Sequence, residues 1–350
     1  MIGGPKVSIV MSVLNGAPFL RQAIDSILSQ TLTEFELIIV DGGSTDGTLA
    51  IIDSYHDRRL RRIDDRRPGL PASLNRGISE CRGALIARMD ADDIAFSSRL
   101  AVQTAYLDAN PSVDILCGDA IVINEHGHPV GRHRMGRMDK DSLLAGLLYR
   151  APAKPIIHPL VIMRRAVPQV LGGYRDLAGA EDHDFWLRAT ERFVFASIRH
   201  PLLYYRAHAA SASYAKRQSQ AVCGIMNVVN YSVKRKTGID IYIQRTDLFR
   251  MFSELTRRSF EADILPAETA FRVARNKLRF EGPLAGVVQF ARAFSRYGPH
   301  ILPGRSRRRV EKFCEALGNQ ICEMIAGEVA STSLNPAVLS LQPGSSGRSS

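Results

Sequence analysis

The chain has 350 residues, 45% of them hydrophobic, and a formal net charge of +11. That length fits two domains or one with an extension, and that composition supports a packed core rather than a disordered chain. No apolar run of about 18 residues stands free of charge, and no basic flank precedes an apolar N-terminal segment, so neither a membrane-spanning helix nor a secretory signal is predicted. In chain order, Lys6 to Val13 reads as a buried strand and Leu14-Asn15-Gly16-Ala17-Pro18 as a turn. From Phe19 to Gln30, Leu20, Ala23, Ile24, Ile27 and Leu28 recur at helical spacing. A second strand, Phe35 to Val40, runs into Asp41-Gly42-Gly43-Ser44-Thr45-Asp46-Gly47-Thr48. Strand, helix and strand in that order predict parallel pairing. Asp41 then stands at a strand's carboxyl end, where an acid can meet a nucleotide's base or ribose, or can simply close a capping turn. The glycine-rich turn is neither GxGxxG nor a Walker sequence.

Arg58 to Arg67 is a charged edge with a short strand, and Leu70 to Gly83 reads as a helix with a glycine at its end. The apolar run Ala84 to Ala87 is a central strand, followed by Asp90, Asp92 and Asp93. In an extended chain, residues two apart point the same way, so Asp90 and Asp92 face one point beyond the strand end. Two hard oxygen donors there suit Mg²⁺ or Mn²⁺ shared with a substrate phosphate. Open α/β sheets bind ligands at such strand ends. The same acids also read as a turn in which Asp92 or Asp93 caps a helix over 96–107.

Taken together, Val7-Ser-Ile-Val-Met-Ser12 with Asn15, Ile39-Val-Asp-Gly-Gly-Ser-Thr-Asp-Gly-Thr48, Leu74-Asn75-Arg-Gly-Ile78 and Ala87-Arg-Met-Asp-Ala-Asp-Asp93 resemble a family 2 glycosyltransferase of the GT-A fold. The resemblance continues through Arg99, Leu100, Gln103 and Val113-Asp-Ile-Leu116. It resumes at His158-Pro-Leu-Val161, Gly172-Gly-Tyr174 and Glu181-Asp-His-Asp-Phe-Trp-Leu-Arg188, and ends at Tyr204-Tyr-Arg-Ala-His208 and Ser213. It implies an α/β fold over residues 1–215, with a mostly parallel, Rossmann-like sheet flanked by helices. It implies an inverting enzyme that takes a sugar from a nucleotide-sugar donor, UDP-linked by expectation, to a glycan or lipid-linked acceptor in surface polysaccharide assembly. Ser12, Asn15, Asp41, Asn75 and Asp90 would bind the donor nucleotide. Asp92, with His208 as a candidate further contact, would hold a divalent cation, Mn²⁺ or Mg²⁺. Gly42 stands where such enzymes often carry a second Asp, so base contacts would rest on Asp41 and main chain. No QxxRW sequence follows, which argues against a processive polymerase.

Asp182 matches the catalytic base of this family. An acceptor hydroxyl is a weak nucleophile and needs a base within hydrogen-bond reach. The plainer reading is that Glu181 and Asp182 favour a helix N-terminus. Glu181 and Trp186, the sole tryptophan, are candidates for the acceptor side, although a large aromatic more often fills core. Arg206 can meet phosphate. His158 reads as acceptor-side lining or as structural. The loop from Gly172 to Gly179 reads as a mobile lid. A nucleotidyltransferase and a non-catalytic nucleotide-sugar-binding or membrane scaffold protein are the alternatives; the Glu181-Asp182 pair argues against the first, and Asp92 together with Asp182 against the second.

Beyond residue 215, helical periodicity recurs over 221–236, 247–261, 267–280, 283–297 and 307–325, which predicts a helical extension over 216–330. Residues 216–350 hold 21 Lys and Arg against 11 Asp and Glu, so nearly all the surplus charge lies here. Arg305, Arg307, Arg308 and Arg309 cluster beside Ile301 and Leu302, a pattern that fits an anionic membrane surface as well as a solvated one. No nucleic-acid motif accompanies the charge. The Ser/Pro/Gly-rich tail 331–350 is expected to be disordered. The five scattered cysteines contain no CxxC pair and predict reduced thiols. The expected location is cytoplasmic, with peripheral contact on the inner face of the membrane.

Overall fold

The computed structural model describes residues 4–136, 138–148, 156–177, 179–208, 217–259, 314–319 and 321–322. Contacts divide the chain into two compact units, Met1–Leu147 with Ala151–Ser211, and Leu148–Arg150 with Ala212–Ser350.

The first unit is built on a nine-stranded sheet. Strand β1 (Val7–Val13) is buried on both faces, as a central strand covered by helices must be. Helix α1 (Ala17–Leu28) carries Pro18 in its first turn, where a missing N–H costs nothing, and turns Leu20, Ala23, Ile24 and Ile27 inward. Strand β2 (Phe35–Asp41) pairs parallel with β1, from Val7 opposite Phe35 to Val13 opposite Asp41. Helix α2 (Thr48–Asp53) leads to β3 (Leu60–Asp64), parallel to β2. Helix α3 (Leu70–Ser79) leads to β4 (Leu85–Asp90), parallel to β1 and level with it at Ser12 and Asp90. Helix α3 lies very close to β1: a Cβ on Gly77 would come within 2.5 Å of Val10 Cγ1. The parallel pairing puts the carboxyl ends of β1, β2 and β4 on one rim, so Ser12, Asp41 and Asp90 line up along it.

The second half of this unit adds β5 (Ile94–Ala95), α4 (Arg99–Ala109), β6 (Ile115–Ile123), β7 (Pro129–His133) and α5 (Lys140–Leu147). A 3₁₀ turn (His158–Leu160), β8 (Ile162–Arg164), α6 (Ala166–Leu171), α7 (Glu181–Ala189) and β9 (Phe195–Arg206) complete it. The strand order is β3-β2-β1-β4-β8-β6-β9-β5, with β7 on β6. The long ladders are parallel, and the short β8 is antiparallel to both of its neighbours. Ile9, Met11, Leu37, Ile39, Ala87 and Met89 are fully enclosed between sheet and helices. Each larger side chain so buried stabilises the fold by about 1.5–3 kcal/mol.

Three local expectations are corrected. The central strand runs on to Asp90, ending among the acids rather than before them. Helix α3 stops at Ser79, and Gly83 instead lets the chain pass against β1, where a Cβ would meet Ser8 N at 2.7 Å. Neither Asp92 nor Asp93 caps α4, whose N-cap is Ser98 without a side-chain bond. Within the charged edge, Arg61 pairs with Glu36 and Glu80, and Arg62 with Asp53 and Asp64.

In the second unit, α8 (Arg217–Thr237), α9 (Ile241–Gln244) and α10 (Thr246–Ser259) follow the expected helices over 221–236 and 247–261. Asp240 caps α9 by accepting from Tyr242 N, and Asn230 of α8 both donates to Asp240 and accepts from Ile241 N at 2.9 Å. Leu248, Phe252 and Thr256 form the buried stripe of α10. The expected helices over 267–280 and 283–297, most of that over 307–325, the cluster Arg305 to Arg309 and the tail lie outside the described residues. No described helix is long and apolar enough to cross a membrane.

Candidate active site

Three acids gather where β4 ends. Carboxylate oxygens of Asp90, Asp92 and Asp93 lie within 4.8 Å of one another. Their environments differ. Asp93 is 1% exposed; its Oδ1 accepts from Arg206 N at 2.7 Å, and its Oδ2 has no partner. Burial, reinforced by the charges of Asp92 and Asp90, pushes its carboxyl well above the usual range. Asp90 is half-buried and paired with Arg88; burial raises it too, Arg88 opposes that, and Asp92 and Asp182 add to it. The side chain of Asp92 keeps about 30% of its surface open, and His208 Nε2 lies 2.9 Å from its Oδ2. The side chain of Asp90 is as open, at 29%, but its carboxylate is tied to the Arg88 guanidinium, whereas Asp92 meets the imidazole of His208, so Asp92 is the less encumbered of the two toward a cation. The donor set of carboxylates plus one imidazole fits Mn²⁺ or Mg²⁺.

The nucleotide-side candidates converge on one loop. Asp41 Oδ2 accepts from Gly43 N at 2.9 Å and Ser44 N at 3.0 Å, while its Oδ1 is buried without a partner. Asn15, held at φ 52°, donates its N–H to Ser44 Oγ and accepts from Thr45 N through Oδ1. Positive φ outside glycine is most readily taken by Asn and Asp. The loops after β1 and β2 are thus stitched together, with Asp41 on their floor. Asn75 does not join them. It donates through Nδ2 to Tyr174 O at 2.7 Å and accepts from Tyr174 N at 2.8 Å, so its amide is taken up by main chain.

Helix α7 brings the remaining acids. Glu181, Asp182 and Asp184 occupy its first turn, where the helix dipole favours negative charge. Asp184 is used structurally, paired with Arg188 at 2.8 Å and Arg175 at 3.3 Å. Asp182 is half-buried and oriented by His183 N at 2.7 Å. Burial raises its carboxyl, with His183 and Arg88 opposing. Glu181, 7% exposed, is pushed up to about 7 by burial and then by Asp182. Asp182 and Asp90 repel each other, and Arg88 attracts both, so the end of β4 and the start of α7 share one electrostatic site.

Residues 8–168 match the glycosyl transferase family 2 model. The chain is 35% identical over 198 residues to the putative glycosyltransferase EpsE of Bacillus subtilis, covering 55% of this chain and 69% of that protein. It is 31% identical to an uncharacterized glycosyltransferase of Haemophilus influenzae, over 68% of this chain and 77% of that one. The chain belongs to glycosyltransferase family 2. The O-antigen biosynthesis glycosyltransferase WbnJ of Escherichia coli is 28% identical over 61% of this chain and 80% of its own. The crystal structure of S. aureus TarS 1–349 in complex with UDP-GlcNAc superimposes with a TM-score of 0.52 at 19% identity, over 88% of this chain and 90% of that one. The fold is GT-A.

For several side chains of this glycosyltransferase the structure decides between the readings the sequence left open. Trp186 is 2% exposed, packed edge-on against His158, Phe185 and Phe195, so its ring offers no open face to an acceptor. Arg206 is not available to phosphate: its guanidinium donates to the carbonyls of Asp92, Asn124 and Glu125 and to Gln22 Oε1, and it stacks over Phe19. It braces the loop that carries Asp92. His158 is enclosed, its Nε2 2.7 Å from Tyr174 Oη, and burial drives its pKa well down. Ser12 is half-buried beside Asp90. Arg88 carries no signal in the sequence reading. It is 4% exposed in the middle of a strand, a position expected to be apolar, and its pairing with Asp90 and its attraction to Asp182 give it a place.

Proposed function

We propose that this glycosyltransferase moves a sugar from a nucleotide-sugar donor, UDP-linked, to a hydroxyl of a glycan or lipid-linked acceptor, with inversion, in cell-surface polysaccharide assembly. The observation that carries it is electrostatic: the charge of Asp182, at the head of α7, is felt by Asp90 at the end of β4, and Arg88 attracts both. A donor-side charge centre and a candidate base share one site. The Escherichia coli relative is named for O-antigen biosynthesis, and the TarS structure holds UDP-GlcNAc; both favour this substrate class.

In this reading Asp41 and the loop of Asn15 and Ser44 hold the base and ribose. Asp92, supported by His208 and Asp90, holds a divalent cation, Mn²⁺ or Mg²⁺. When bound, that cation offsets the charge that builds on the leaving diphosphate. Asp182 accepts the proton of the acceptor hydroxyl as its oxygen attacks the anomeric carbon from the side opposite the diphosphate. The new carbon–oxygen bond forms as the bond to phosphate breaks, and the electron pair leaves with the nucleoside diphosphate. Burial raises the basicity of Asp182, the direction a proton acceptor needs. The enzyme works in the cytoplasm, with the basic 216–330 segment against the inner membrane face.

A melting-temperature screen of UDP- and GDP-sugars, each with and without Mn²⁺, tests the donor. A ligand that binds only the native state raises the melting point. The largest shift is expected with a UDP-sugar plus Mn²⁺; no shift with any of the nucleotide sugars contradicts the reading.

A further inference from the structure

Asn75 lies on α3 and Tyr174 on the loop after α6, 99 positions apart, yet they are joined as closely as paired strands. Asn75 bonds both the N–H and the C=O of Tyr174, at 2.8 and 2.7 Å. The approach depends on Gly173, held at φ 76°, where a Cβ would stand 2.4 Å from Asn75 Oδ1. The same loop is gripped from the other side by α7. Arg188 donates to Leu171 O at 2.7 Å and Gly173 O at 2.9 Å while its Nε is paired with Asp184. The Tyr174 ring stacks on Phe185 of α7 with centroids 4.4 Å apart, and its hydroxyl meets the buried His158. The loop Leu171 to Tyr174 therefore touches α3 with one side and α7 with the other. This first part of the loop expected to be a mobile lid is tied down by both helices.

We propose that Asn75 is a positioning residue: through the main chain of Tyr174 it fixes the placement of α7, and with it Asp182, relative to the nucleotide-side elements. It is not a nucleotide ligand. The proposal rests on the reading of Asp182 as the base. The logic is geometric. A side-chain amide bonded on both sides to one peptide sets distance and orientation together. Tyr174 then passes that constraint to Phe185, one turn below Asp182 on the same helix. Misplacing a catalytic group by about 1 Å can cost a factor of about 10² in rate.

The test uses Asn75→Ala, Asn75→Asp and Gly173→Ala in the full chain. Asn75→Asp keeps the acceptor for Tyr174 N and loses the donor to Tyr174 O, so it serves if the alanine variant folds poorly. Hydrogen exchange at residues 181–184 is read without ligand. Turnover and KM are read as nucleoside diphosphate release from UDP-N-acetylglucosamine and GDP-mannose. The expected result is faster exchange at 181–184 in all three variants, kcat down by about tenfold or more, and a donor KM within about twofold of wild type. Adding Asn75→Ala to Asp182→Asn should cost nothing further, because both act on one group. Unchanged exchange at 181–184 overturns the proposal, whichever donor is used. A raised KM with kcat kept makes Asn75 a nucleotide ligand instead, and losses that multiply with Asp182→Asn separate it from the base. An active Asp182→Asn enzyme removes the base and leaves the exchange result to decide the strut alone.

Discussion

Asp92 and Asp93 are neighbours in sequence and opposites in environment. Asp93 faces inward, its carboxyl tied to the main chain of Arg206. Asp92 faces outward with His208 beside it. Asp92→Asn should weaken Mn²⁺-dependent binding of UDP by at least about tenfold, since a neutral amide is a poorer ligand for a hard cation. Asp93→Asn should keep most of that affinity. Titration calorimetry on both decides; equal affinities for Asp92→Asn and wild type remove Asp92 from the metal site. Glu181 gives a second prediction, on pH. Its carboxyl is raised from 4.5 to about 7, so the folded state binds its proton more tightly than the unfolded state does. That contribution to stability is complete below about pH 4.5 and is lost as pH rises through about 7. Glu181→Gln keeps a neutral group there at every pH. Its melting point should match wild type near pH 4.5 and exceed it near pH 8. A constant gap across that range contradicts the raised pKa.

Among the elements, those set by local pattern were readable before the structure. The buried runs in β1 and β2, the inward stripe of α1 and the acids after β4 all declare themselves within a dozen residues. Asp41 and Asp90 fall on one rim because parallel strands put their carboxyl ends together. What could not be read are the contacts between distant segments. Asn75 looks like a donor-side residue in its own motif, and nothing near it announces Tyr174. Arg206 looks like a phosphate ligand because its partners, the carbonyls of Asp92, Asn124 and Glu125, come from other parts of the chain. Trp186 is the simpler case: a large aromatic on an amphipathic helix more often fills core, and it does so here. The close seat of α3 on β1 can be tested. Gly77→Ala would place a methyl 2.5 Å from Val10 Cγ1, so it should overpack the sheet and cost about 1–3 kcal/mol. Thermal unfolding should show a melting point several degrees lower. No change would mean that the helix can move away freely.

For the molecule as a whole, the uneven charge needs a role. Residues 216–350 carry a surplus of 10 positive charges out of the net +11. A lipid-linked acceptor would make membrane proximity useful, and each basic side chain near an anionic surface contributes about 1 kcal/mol. Replacing Arg305, Arg307, Arg308 and Arg309 with Gln should release the protein from phosphatidylserine-containing vesicles at low salt, measured by co-sedimentation. Unchanged pelleting counts against membrane contact. The claim on which the enzyme reading stands is that α7 supplies the base. Asp182→Asn keeps the shape of the side chain and removes the proton acceptor. The decisive measurement is transfer and donor binding on one preparation of that variant. Transfer should fall by about 10²–10⁴-fold with nucleotide-sugar affinity near wild type. If Asp182 only favours the helix N-terminus, Asn serves nearly as well, and near-normal transfer would contradict the account.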